Sequence, residues 1–134
     1  MARIDVFTVD RQKKYVSAIY NFNIDGSSAT EIIPKVNSVL PKGSVIIDVL
    51  TETIQLVTSS GTPTLKIQLG GVDISASMDF STYNAVTENN LPTPVTQKIP
   101  AAANIGLLFS SDTITAGAIA VTVGYFDSAD YQNL

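Results

Sequence analysis

The sequence predicts an all-β fold, an antiparallel β-sandwich of two sheets. Three observations carry that expectation. Apolar and polar residues alternate with period two along most of the chain, and no long segment has helical spacing. Turn residues such as Asp25-Gly26, Pro41–Gly43, Ser59–Pro63, Gly70-Gly71 and Ala116-Gly117 recur at short intervals. Strand follows strand without intervening helices, so the apolar faces must cover one another.

Taken in order, the first expected strand is Ile4–Val9. The second is YVSAIYNFNI, residues 15–24, with Val16, Ala18, Tyr20, Phe22 and Ile24 on one face and Ser17, Asn21 and Asn23 on the other. A long strand follows over Ser44–Val57. Val45, Ile47 and Val49 share one phase there, and Ile54 and Leu56 the other, which predicts a bulge or a corner where the strand passes between sheets. TLKIQL, residues 64–69, turns Leu65, Ile67 and Leu69 inward. The cleanest alternation is VDISASMDF, residues 72–80, with Val72, Ile74, Ala76, Met78 and Phe80 opposing Asp73, Ser75, Ser77 and Asp79. Residues 81–104 form an irregular passage holding Pro92, Pro94 and Pro100, in which STYNAVTENN has room for a turn or two of helix. Ile105–Phe109 and Gly117–Phe126 are the closing strands.

The 134 residues fit one domain, 1–134, with no repeat and no linker. A domain of this size buries roughly 68–70% of its unfolded surface, enough for a core without covalent staples. None is available, because the chain has no Cys; it also has no His and no Trp. Ser-His-Asp and Cys-His nucleophile systems and histidine- or thiolate-ligated metals are therefore excluded. The net charge of −4, with 15% of residues charged, opposes nucleic-acid binding, which needs clustered cations. No apolar run reaches the length of a membrane span. The N-terminal stretch MARIDVFTVDRQKK has no signal-type apolar block, so synthesis in a cytoplasm is expected.

One stretch imitates a calcium loop. In NFNIDGSSATEI, residues 21–32, Asn21, Asn23, Asp25 and Gly26 match the first half of the pattern, but the twelfth position is Ile32 and Glu31 comes one residue early. With Tyr20, Phe22 and Ile24 on a strand face, the expectation is a strand ending in a turn, with no metal and no cofactor. Paired carboxylates offer little more. Asp73 and Asp79 would stand roughly 20 Å apart along a strand, too far for glycoside hydrolysis. Asp48 with Glu52, and Asp127 with Asp130, are closer in sequence but belong to wet faces. No catalytic residue is expected.

Two features remain for binding. Arg11, Lys13 and Lys14 hold three of the eight basic residues, and read either as a solvated connection or as a site docking to an acidic protein surface. Segment 1–14 would then act as a docking arm. Tyr83 and Tyr131 fall in irregular segments, free to stack on sugars or to pack over the sandwich edge.

The order of LPKGSVIIDVLTETIQL, residues 40–56, then TLKIQLGG, then ITAGAIAVTVGYF resembles virion structural proteins of tailed bacteriophages, particularly capsid decoration (cement) proteins and related head or tail accessory proteins. The features shared are the Pro41-Lys42-Gly43 turn opening a Val/Ile-rich strand, the glycine-bearing segment Thr64–Gly71, and the Thr115-Ala116-Gly117 turn into a strand ending at Tyr125. The resemblance spans about Leu40 to Phe126, and it brings no catalytic motif. It implies a jelly-roll-like sandwich on the outer surface of a virion head, made in the host cytoplasm. There it would bind the major capsid protein and stabilise the shell, as a homo-oligomer, with a trimer matching threefold positions. Nucleic acid and membrane are not expected as partners. A low-copy neck, tail or fibre component is the alternative within the same particle, and a carbohydrate-binding module the alternative outside it.

Overall fold

The computed structural model describes residues 13–61, 63–78, 86–89 and 99–127, with the backbone alone for 86–89. The predicted strand Ile4–Val9, and the positions Arg11, Phe80, Tyr83 and Tyr131, lie outside the described residues. The strands are β1 (Lys14–Asn21), β2 (Val39–Leu40), β3 (Val45–Ser59), β4 (Leu65–Leu69), β5 (Val72–Asp73), β6 (Val86–Asn89), β7 (Ala103–Phe109) and β8 (Ile114–Phe126), with one helical turn, α1 (Phe22–Asp25), after β1.

They form two four-stranded antiparallel sheets, ordered β1-β8-β3-β6 and β2-β7-β4-β5. First pairs with last, second with seventh, third with sixth, and fourth with fifth. The chain is thus one long hairpin folded on itself and rolled up, the jelly-roll arrangement of the two-sheet sandwich. Its closed end is the turn at Gly70 and Gly71, with φ of 59° and 82°, a two-residue turn that needs both positive angles. At every other connection the chain crosses to the opposite sheet.

The core lies between the sheets. Tyr20 of β1, Val49 of β3 and Ile119, Val121 and Val123 of β8 face Leu40 of β2, Leu65 and Ile67 of β4 and Ile105, Leu107 and Phe109 of β7, all fully buried. Each of these strands alternates because its other face is wet. Pro41–Ser44 forms the turn expected from Pro-Lys-Gly. Gly43 has φ of 84°, and the Ser44 N–H donates to the Pro41 carbonyl at 3.2 Å.

Several expected elements differ. The second strand stops at Asn21, so Phe22 and Ile24 belong to α1 and not to a strand face. The alternation over 72–80 is not a strand of that length. Val72 and Asp73 pair with β4 and Val72 is exposed, the Ser75 hydroxyl then accepts the Ile67 N–H, and pairing with β4 resumes only at Met78, opposite Leu65. Within the stretch where a helical turn is expected, residues 86–89 are a strand on the edge of β3, and residues 81–85 and 90 lie outside the described residues. Long β3 carries the expected bulges but stays in one sheet throughout. Its buried positions are Ile46, Val49, Thr51, Thr53 and Val57, not Val45 and Ile47. One extra residue between Ile46 and Asp48 switches the phase, and two more between Thr53 and Thr58 leave it unchanged.

Ala116-Gly117, expected as a turn, lies inside β8 opposite the bulge between Gln55 and Thr58. Gly117 has φ of 118°, and a Cβ there would stand 2.5 Å from the Cα of Val57. Backbone conformation and close approach both demand glycine. Gly117→Ala should therefore lower unfolding stability by about 2–3 kcal/mol. Gly26→Ala, at φ of 74° with open space around it, should cost only about 1 kcal/mol. Urea denaturation of both variants checks this, and equal losses would contradict it.

Candidate functional site

The calcium-like stretch is organised around backbone, not around a cation. Asn21 ends β1 and caps α1, its Oδ1 accepting the Asn23 N–H at 3.0 Å. Asp25 closes the turn from the other side. One carboxylate oxygen accepts the Asn21 N–H at 3.0 Å and the other the Lys35 N–H at 2.9 Å. Gly26, at the C-terminal end, donates to the Phe22 carbonyl at 2.9 Å. The oxygens that a loop would turn toward calcium are thus satisfied by N–H groups of the chain. Among the described residues no group of three or more acidic or histidine side chains could hold a metal.

Tyr20 ties this turn to the core. Its ring lies 5.2 Å from that of Phe109, tilted by 58°, and its hydroxyl donates to the Gly26 carbonyl at 2.6 Å. Burial, aided by the negative charges of Asp25 and Asp112, pushes its pKa up to about 12.

The lysines of the predicted basic cluster are engaged within the first sheet. Lys13 forms an ion pair with Asp48 of β3 and lies 5.2 Å from the centre of the Tyr15 ring. The hydrogen bond to Asp48, then that to Tyr15, raises its pKa. Lys14 meets Asp127, just beyond β8, at 3.5 Å. Consecutive residues thus fasten the start of β1 to the end of its neighbour β8 and, across β8, to β3. Arg11, Tyr83 and Tyr131 lie outside the described residues. Asp73 is held by Gln68 at 2.6 Å and Lys66 at 3.3 Å, which lowers its pKa, Gln68 contributing most. Of the carboxylates weighed as acid–base pairs, Asp48, Asp73 and Asp127 each face a lysine, while Glu52 points into solvent from β3. Asp79 and Asp130 lie outside the described residues.

A different surface stands out. Between α1 and β3 the chain runs along the open side of the sandwich. Ile32 pairs with Leu107 of the second sheet and Val36 with Ile19 of the first. Asn37 imitates a strand, its amide donating to the Ile105 carbonyl at 2.7 Å and accepting the Ile105 N–H at 3.1 Å. Ile33, Val36 and Val39 lie along this segment, Val36 beside Ile19, and all four are exposed. These positions carry no pattern legible in the sequence, because apolar residues at 33, 36 and 39 fit neither the strand nor the helix period. Glu31, at the head of the segment, folds over Gly106 of β7, where a Cβ would overlap its carboxylate.

No family model and no curated protein sequence matches the chain. Solved structures do. A chain of the capsid of Ralstonia phage GP4 superposes with a TM-score of 0.60 and 16% identity, covering 86% of this chain and 85% of that one. A chain of the acidic stable capsid of Helicobacter pylori bacteriophage KHP30 superposes with a TM-score of 0.59 and 10% identity, covering 86% and 87%. The likeness is one of fold.

The raised pKa of Tyr20 has a consequence for stability. The folded state favours the neutral phenol, so its contribution is complete below the unfolded value of 10.0 and is lost as pH rises toward about 12. Across that interval the wild type should lose on the order of 2 kcal/mol more than Tyr20→Phe. Urea unfolding at pH 8, 10 and 11.5 tests it; parallel pH dependences for the two proteins would contradict it.

Proposed function

We propose that the chain is a bacteriophage capsid decoration protein, which binds the outer surface of an assembled head through the major capsid protein and stabilises the shell. Jelly-roll sandwiches serve many unrelated purposes, so topology alone does not choose among them. The observation that carries the reading is that two chains sharing this topology over 86% of its length are both from phage capsids. The order of motifs from Leu40 to Phe126 points the same way.

The physical requirements agree with the structure. A protein that binds only the assembled shell stabilises it by mass action, and the gain grows with the logarithm of its free concentration above its dissociation constant. For that it needs a rigid body and an exposed docking face, and no reactive group. The two sheets supply the first. The side chains available for chemistry are few, since the chain lacks His and Cys, and Asp48, Asp73 and Asp127 are each matched by a lysine. We propose a non-enzymatic role and, by analogy with shell symmetry, assembly into a homo-oligomer whose three copies would match the threefold positions of an icosahedral shell.

Decoration predicts a copy number per purified virion comparable to that of the major shell protein, measured by quantitative mass spectrometry. A count fitting a single neck or tail ring would assign the chain to that part of the particle instead, and its absence from virions would overturn the proposal.

A further inference from the structure

We propose that the ridge from Ile33 to Lys42, with Ile19 beside it, is the face that docks this chain onto its partner, and that the partner surface is apolar at its centre and carries carboxylates at its edges. The inference rests on the decoration reading given above.

Exposed apolar residues scattered singly mean little. Here they are gathered and held. Val36 and Ile19 are bridge partners, with the Ile19 N–H donating to the Val36 carbonyl at 2.9 Å, which sets their side chains next to each other on one face. Ile33 and Val39 lie three residues to either side, within about 10 Å along the chain. The exposures are 45% for Ile33, 53% for Val36, 56% for Val39 and 37% for Ile19. The other strongly exposed aliphatic residues of the strands, Leu56 and Val72, sit on different elements.

The ridge is also stiff. Ile32 and Leu107 exchange two backbone hydrogen bonds of 2.7 and 2.8 Å, Asn37 grips Ile105 through both amide atoms, and Pro34 is buried. The segment is pinned to both sheets, so little conformational freedom remains to be lost on binding.

The charge pattern selects the partner. Lys13, Lys14 and Lys66 each face a carboxylate of this chain. Lys35 and Lys42, both exposed, bracket Val36 and Val39, and among the described residues neither has a carboxylate within ion-pair distance. Two cations at the rim of an apolar strip match carboxylates on a protein, where opposite charges steer docking and fix its register. They are too few to hold nucleic acid, which the net charge of −4 would repel.

The test is binding of the purified chain to heads of the phage that encodes it, prepared without the chain, with folding of each variant checked by circular dichroism and thermal unfolding. Val36→Asp with Val39→Asp should weaken binding at least ten-fold, while Val72→Asp leaves it unchanged. Lys35→Ala with Lys42→Ala should weaken it several-fold and remove most of the salt dependence that the wild type shows between 0.05 and 0.5 M. Wild-type binding that survives the Val36 and Val39 changes would overturn the ridge while leaving decoration intact. Failure of the wild type to bind heads at all would overturn both. Ridge variants that dissociate an oligomer but bind heads normally would show that the ridge joins copies of this chain, and would equally overturn the proposal.

Discussion

The pairing of β3 with β8 is the interaction on which the other strands depend. It is the longest in the molecule, running from Val45 opposite Phe126 to Ser59 opposite Ile114, and it forms the centre of the first sheet. β1 adds to the free side of β8 and β6 to the free side of β3. The second sheet packs on the apolar face that this pair presents, chiefly Val49, Ile119, Val121 and Val123. The two strands differ in length and do not match residue for residue. Bulges absorb the mismatch, and Gly117 brings β8 against the backbone of Val57 where a side chain would not fit. Long-range pairing of this kind, nested from the chain ends inward, cannot form piecemeal, so the sandwich gains its rigidity as a unit.

That rigidity shapes the surface. Because nearly every connection crosses between sheets, each must span the side or the end of the sandwich. The segment from Gly26 to Ser44 is the long crossing on the side where β1 and β7 lie, and it covers their edges by pairing with both. An edge strand left bare invites unwanted pairing; here the same segment that covers the edge turns its own apolar side chains outward. Asp25 holds the beginning of the crossing by accepting the Lys35 N–H, and Tyr20 anchors the turn before it from within the core. Core, turn and proposed docking ridge are therefore mechanically continuous.

The sandwich was legible from the alternation in β3, β4, β7 and β8, because those strands bury one face and wet the other. The alternation misled where the wet-and-dry pattern arose without pairing. Over 72–78 the strand is interrupted: Val72 and Asp73 pair after the Gly70-Gly71 turn, a serine hydroxyl then stands in for the ladder, and pairing returns only at Met78. At Phe22 and Ile24 the period continued by coincidence into a helical turn that Asn21 caps. A capping residue followed by Asp25 and Gly26 was a readable helix signal, obscured by its likeness to a calcium loop. The bulges of β3 were legible as a change of phase, but their positions depend on β8 and could not be read from β3 alone. The ridge was the least visible feature, since its residues become neighbours only when Val36 meets Ile19 across the fold.

A reconstruction of the phage head by electron cryomicroscopy, at a resolution that shows side chains, tests the central claim most directly. The account predicts density for the two-sheet sandwich on the outer surface of the shell, with Ile33, Val36 and Val39 turned toward an acidic strip of the major capsid protein. A shell whose outer surface carries no such density, or sandwiches seated with that ridge facing solvent, would contradict it.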